Sequence, residues 1–447
     1  MTPKGRRRHS SWVRCVQANT AYLKPAGISE RLGVSLGFVE MEMRLGLIVP
    51  AVIAFVAMAI PTLAQEAHGP IKVGVLTDLG GGYIDALGDG AVVAAQLAAM
   101  DAGAILGGPA QVIAADYDRS AEVGAAVARD WYDNQGVDVI VEGGSSPVGL
   151  AVEDVSRERR KIALFSGPAT SEITAANCSP YAAQWTYDSY ALAHVTAATI
   201  VKDGGKTWYF IGADTALSHD LVHEATSVVE GMGGRVLGAD YATRGTADFS
   251  SFLLAAQESK AEIIGLATRA GDVVRVVRQS AAFGVAEGGQ KFAPLLMFLT
   301  DVDRLGLELA QGLRFASAFY WDSDDAAHAF ARRFFGRVHS MPTMVQAGVY
   351  SATRHYLKAV KALGSADPDL VMQKMREMPI NDFMTKNGSL RIDGRVIRDM
   401  YLFEVKRPAE SDGQWDYLRR IATVPGAEAF RPLASGSCPL SGAPRNG

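Results

Sequence analysis

The chain has 447 residues, of which 48% are hydrophobic and 21% charged, with a formal net charge of -4. That length exceeds one ordinary hydrophobic core and predicts two domains. No basic excess points to nucleic acid, and beyond the leader no apolar run is long enough to span a bilayer.

Residues 1–64 read as leader and signal peptide. Met43-Arg44 precedes an apolar stretch from Leu45 to Ile60, and Pro61-Thr62-Leu63-Ala64 closes it. One positive charge, an apolar core and small residues before Gln65 predict cleavage after Ala64 and a periplasmic mature chain. An uncleaved membrane anchor is the alternative; Pro50, Pro61 and the shortness of the stretch favour cleavage. Residues 1–42 are basic and aperiodic and a signal peptide does not need them, which leaves Met1, Met41 and Met43 open as the start. Arg6-Arg7-Arg8 stands too far from the apolar core for a twin-arginine signal.

The body opens with Ile71-Lys72-Val73-Gly74-Val75-Leu76-Thr77-Asp78, a short β-branched run bounded by glycine, which predicts a buried parallel strand. A glycine loop, Gly80 to Tyr83, follows, and Gly90–Met100 reads as a helix. Ala110–Asp116 is a second strand, and Ser120 is placed to cap a helix running through Trp131-Tyr132. Val137–Glu142 is a third strand and Ile162–Phe165 a fourth, each ending in a small-residue loop, at Gly143–Pro147 and Ser166–Thr170. Strands alternating with helices at this spacing predict a parallel sheet with right-handed crossovers.

An aromatic section from Cys178 to Tyr190 breaks the rhythm, and a second series then starts. Its strands are Thr207–Gly212, Arg235–Ala239, Ile263–Ala267 and Pro294–Leu299, the last ending in Thr300-Asp301. Leu313 to Trp321 is an apolar strand with an aromatic end, and helical patterns cover roughly 325–338, 344–364 and 368–378. Ser389–Arg395 looks like a hairpin turning at Asp393-Gly394. Met400–Val405 reads as the last strand, with loop after Val424. The fold class is α/β, with two similar domains.

Of three cysteines, Cys15 lies in the leader, which leaves Cys178 and Cys438, each in a Ser/Pro-rich loop. They suit one disulfide in an oxidising compartment, with two unrelated buried thiols as the alternative. Beyond the leader no GxSxG, HExxH, P-loop, GxGxxG or CxxC is present, so the residues support neither an enzyme nor a cofactor or zinc site. His219 and His223 stand four apart on a helical pattern and could share a metal, though solvated or capping histidines are the simpler reading. What recurs instead is a polar or small-residue loop at the carboxyl end of strand after strand. Hydroxyls, backbone N–H groups and helix N-termini in such loops bind a small anion without a formal counter-charge. Taken singly each is an ordinary turn with an N-cap; six across two domains, at Gly80–Tyr83, Gly144–Ser146, Ser166–Thr170, Asp214–Ser218, Thr268–Gly271 and Thr300–Asp301, point to a cleft site.

The opening strand, the Gly143–Ser146 and Ser166–Thr170 loops and Asp248-Phe249-Ser250-Ser251-Phe252 resemble the type I periplasmic solute-binding proteins of ABC importers, the branched-chain amino acid group. Cys178-Ser179-Pro180-Tyr181, Trp185-Thr186-Tyr187-Asp188, Met341 to Gly348 and Met400-Tyr401-Leu402 are similar to a subgroup associated with aromatic and other small carboxylic acids. The resemblance covers residues 70–440.

It implies two Rossmann-like lobes joined by a three-segment hinge. Lobe 1 would be 70–188 plus 319–390 and lobe 2 would be 189–318 plus 391–440, with crossings near Tyr190, Phe319–Trp321 and Ser389. It also implies that Ser145, Ser146, Ala169 and Thr170, with Ser166 in the same loop, hold a ligand carboxylate. Asp214, Thr268 and Asp301 fall in the loops with which lobe 2 closes, and Arg269 departs from the small residue expected there. Tyr83, Tyr187, Phe319 and Trp321 are the aromatics expected to hold the ligand body, unless they are simple core. The expected partners are a small carboxylate and ABC permease subunits, the expected state a monomer. No counterpart of an ammonium clamp is visible, which favours an organic acid over an amino acid. A branched-chain or other amino acid binder, and a ligand-sensing receptor on the same fold, are the alternatives.

Overall fold

The computed structural model describes residues 69–243, 245–268, 270–285 and 288–442. The leader and its cleavage point lie outside these residues, as does Arg269.

The opening strand, Lys72–Thr77, is the second of a five-stranded parallel sheet ordered Gln111–Asp116, Lys72–Thr77, Val139–Glu142, Ile162–Phe165, Ala182–Gln184. Val73, Val75 and Leu76 are fully buried, as expected of a strand covered on both faces. Gly74 lets the sheet meet the indole of Trp131, because a Cβ there would stand 2.4 Å from the ring. The helix Ala121–Asp133 begins at Ser120, whose hydroxyl accepts from Val123 N at 3.2 Å, the predicted cap. The helix Gly88–Ala102 packs against Met344–Leu363 on the other face.

A second parallel sheet is ordered Lys291–Pro294, Ile263–Ala267, Thr207–Ala213, Arg235–Ala242. A third, antiparallel sheet joins Arg314–Ser317, Met400–Val405 and Leu418–Val424. The hairpin pairs Ser389–Leu390 with Val396–Ile397, and Gly394 turns it at φ +83°.

Four readings change. The aromatic section contributes a fifth strand, Ala182–Gln184, too short to show a period. Leu418–Val424 follows Met400–Val405 as a further strand; its two arginines face water, and only its pairing marks it. The apolar strand beginning near Leu313 stops at Ser317, so Phe319 and Trp321 are loop residues. The edge strand of the second sheet is Lys291–Pro294 rather than Pro294–Leu299, and Leu299–Leu305 is a helix. Pro294, which carries no donor, is tolerated on this sheet edge because the ladder runs through its neighbour, Leu295 N donating to Leu266 O at 2.9 Å.

Cys178 and Cys438 are joined in a disulfide, with Cα atoms 5.6 Å apart. Both cysteines are buried. Among the described residues no helix is long and apolar enough to cross a membrane.

Candidate functional site

A cavity of about 290 Å³ opens where the carboxyl ends of the two parallel sheets meet. Tyr83, Gly144, Ser145, Ser146, Ala169, Thr170 and Tyr187 line it from the first sheet's loops. Thr215, Ala216, Leu217, Asp220, Leu296 and Phe298 line it from the second.

The first wall is built on an unusual turn. Glu142, Gly143 and Gly144 follow one another at φ +81°, +82° and +72°. Glycine is required at 144 twice over: the backbone is left-handed, and a Cβ would meet the Tyr117 ring at 2.6 Å. The turn delivers the chain to the helix Ser146–Arg159, with Ser145 as its N-cap and Pro147 in its first turn. The Ser145 hydroxyl makes no capping bond, so it is available to a ligand.

Ser146 Oγ reaches the neighbouring loop, accepting from Ala169 N and Thr170 N, both at 3.2 Å. These two N–H groups, expected from the sequence to serve a ligand directly, are therefore held by Ser146, whose own proton can be donated into the cavity. Gln184 braces the loop from below, donating from Nε2 to Pro168 O at 3.0 Å and Thr170 O at 2.9 Å. Tyr187 commits its hydroxyl to Gly167 O at 3.0 Å and presents its ring to the cavity.

Beneath the wall, Gly144 N donates to Glu142 Oε2 at 2.9 Å. Burial pushes the Glu142 carboxyl up to about 8. An acid held neutral there leaves the site above it without a repelling charge.

The second wall is the start of the helix Ala216–Gly231. Thr215 is its N-cap, its Oγ1 accepting from Ser218 N at 3.3 Å. Leu217 and Asp220, three apart, share the face turned to the cavity. Burial raises the Asp220 carboxyl from its ordinary range, against the opposing pull of His223 and His219. Two helix N-termini thus open onto one cavity from opposite sheets, and the positive ends of their dipoles favour an anion between them.

Of the residues singled out from the sequence, Tyr83, Ser145, Ser146, Ala169, Thr170 and Tyr187 come together here. The others stand elsewhere. Ser166 is buried behind the loop with its hydroxyl unpaired, against Gly348 and close to Thr186. Asp214 pairs with His219 Nε2 at 3.0 Å, and His219 stacks on Tyr241 with ring centroids 4.0 Å apart. Among the described residues no group of three or more His, Cys, Asp or Glu is placed to hold a metal ion. Thr268 is buried, its hydroxyl also unpaired. Asp301, in the first turn of its helix, accepts from Phe298 N at 2.9 Å, and burial pushes its carboxyl up to about 7. Phe319 packs on Phe330 and Phe383, and Trp321 donates from Nε1 to Trp415 O at 2.9 Å. None of these six lines the cavity. Thr215 and Leu217, within the strand-end loop Asp214–Ser218 that the sequence marks, also line it, whereas Asp220, Leu296 and Phe298 line it and carry no local mark of function. Thr215, three residues ahead of Ser218, could have been read as an N-cap.

Residues 70–414 match the family model described as periplasmic binding protein. A comparison with curated proteins finds no match. Among solved structures, a periplasmic binding protein from Burkholderia mallei is 42% identical, with 83% of this chain and 99% of that chain covered and a TM-score of 0.79. A branched chain amino acid ABC transporter periplasmic ligand-binding protein from Burkholderia xenovorans LB400 is 35% identical, over 83% of this chain and 100% of that one, with a TM-score of 0.79. A solute binding protein of an ABC transporter from Rhodopseudomonas palustris BisB5, in complex with 3,4-dihydroxybenzoic acid, shares the fold at 20% identity. There 80% of this chain and 98% of that chain are covered, with a TM-score of 0.72. With its paired parallel sheets and the cavity between their carboxyl ends, the chain belongs to the type I periplasmic binding proteins of ABC transporters.

Proposed function

We propose that this chain captures a small organic acid with an aromatic or otherwise apolar body and delivers it to the permease of an ABC importer. The observation that carries the reading is the pair of helix N-termini opening on one cavity whose other lining is mostly apolar. An anion fits between the helix starts, with Ser145 and Ser146 donating to it, and an apolar body fits against Tyr187, Leu217, Leu296 and Phe298. The residues divide into two lobes, 70–188 plus 319–390 and 189–318 plus 391–440, that close on the ligand. Export uses the leader through Ala64, so N-terminal sequencing of periplasmic protein should start at or near Gln65.

Asp220 favours a second reading. A carboxylate on the wall opposite Ser145 can accept from an ammonium group, as an amino acid would require, or from a ring hydroxyl. The 35% identical relative carries the name of a branched chain amino acid transporter component, and a more distant one holds a dihydroxybenzoic acid. Titration calorimetry across benzoates, hydroxybenzoates, cinnamates, aliphatic acids and branched amino acids decides between them. The acid reading expects aromatic acids to bind and Asp220→Asn to leave unsubstituted benzoate affinity in place. Binding of amino acids alone, abolished by Asp220→Asn, would overturn it.

A further inference from the structure

Beside the cavity just described lies a second chamber of about 480 Å³, and the two share Tyr83 and Ser145 in their walls. Their charges differ. Among the described residues, the only ionisable side chain of the inner chamber besides the tyrosines is Asp220, whereas the outer one is lined by Arg119, Arg275, Asp78 and Asp272.

The two aspartates are already engaged. Asp78 accepts from the backbone N–H groups of Gly81 and Tyr83, folding its own loop, and Asp272 pairs with Arg275 at 2.5 Å. Arg119 has no hydrogen bond or ion pair among the described residues. It stands on a strained turn, with Asp118 at φ +47° and Arg119 at φ +55°, a left-handed pair that carries side chains where glycine would be free of cost. The turn is closed by Asp118 N donating to Asp116 Oδ1 at 2.8 Å, and it presents the exposed Arg119 side chain at the wall of the outer chamber.

We infer that Arg119, with Arg275 opposite, forms a second anion subsite, so that the preferred ligand is an elongated diacid with an apolar middle. This rests on the acid reading above. One carboxylate takes the Ser145–Ser146 end, and the other emerges past Tyr83 to the guanidinium of Arg119, whose planar fork suits a carboxylate bidentately. Asp272 keeps Arg275 oriented and partly neutralised, which leaves Arg119 as the stronger determinant.

The test compares each diacid with its own distal methyl ester, which has nearly the same shape and no second charge. Suitable pairs are 4-carboxybenzoate, 4-(carboxymethyl)benzoate and 4-carboxycinnamate, with benzoate as the single-acid reference, measured by titration calorimetry at low and high salt. At least one diacid should bind roughly ten- to a hundredfold tighter than its ester, less so at high salt. Arg119→Met should erase that preference and leave the ester and benzoate unchanged, with thermal melting confirming the fold. The inference is overturned if no diacid exceeds its ester, if the preference survives Arg119→Met, or if that variant weakens benzoate and the diacids alike. In all three cases benzoate binding keeps the acid reading intact. If no acid of either kind binds, the acid reading falls and this inference with it.

Discussion

The guanidinium of Arg395 donates from Nη1 to the backbone carbonyl of Tyr187 at 2.9 Å. The same group stands 3.4 Å from Asp188 Oδ2, and Nε donates to Val396 O at 3.1 Å. Arg395 is 1% exposed and stacks over the Phe430 ring at 4.6 Å. It therefore ties the segment entering the helix Ser189–Lys202 to the segment after Gly394, and burial pulls its guanidinium down to about 10. Arg395→Met keeps the volume but orphans the Tyr187 carbonyl and leaves Asp188 unpaired by a cation. Urea unfolding should show a loss of about 3 kcal/mol. A variant as stable as the parent would mean that the cation contributes nothing net here.

Ser146→Ala removes a donor to the ligand and also frees the Ala169 and Thr170 N–H groups. Affinity for the best-binding acid should fall roughly ten- to a hundredfold. Thermal melting should move little, since those N–H groups can turn to water in the cavity. Unchanged affinity by calorimetry would remove Ser146 from the site.

Glu142 makes stability depend on pH. Its carboxyl is raised from an ordinary 4.5 to about 8 by burial, so the folded chain keeps a proton that the unfolded chain releases. The stability supplied by the neutral acid is full below the unfolded value and drains away as pH rises toward the folded one. Glu142→Gln cannot ionise. Relative to the parent it should gain roughly 3 kcal/mol or more between about pH 5 and pH 8, read from urea melts at several pH values. Asp301 and Glu153, raised to about 7 and about 8 by burial, are common to both proteins and cancel in the difference. A difference that stays flat across the window would sink the assignment.

The Cys178–Cys438 bridge spans 260 residues. By chain entropy its removal should cost up to roughly 5 kcal/mol, with native strain and residual denatured structure lowering that figure. The Cys178→Ser, Cys438→Ser double variant should melt lower than the oxidised parent and match the reduced one. Non-reducing peptide mapping that finds both thiols free would refute the bridge.

Sequence alone determined the α/β class, the alternation that makes parallel sheets, the Ser120 cap and the Asp393-Gly394 turn. These are local: a β-branched run, a hydroxyl three residues before an N–H, a glycine where φ turns positive all act within a few positions. It also marked the Ser145–Ser146 and Ala169–Thr170 loops, because small polar residues at strand ends are visible in one dimension. Tertiary structure decided which of many such loops share a cavity. Thr215, Leu217 and Asp220 join Ser146 from about seventy residues away only because two sheets meet end to end. It likewise decided that Asp301 caps its own helix and that Phe319 packs in the core. Burial made Glu142 a neutral acid and Arg395 a structural cation, for the cost of a buried charge depends on what the rest of the chain lays over it.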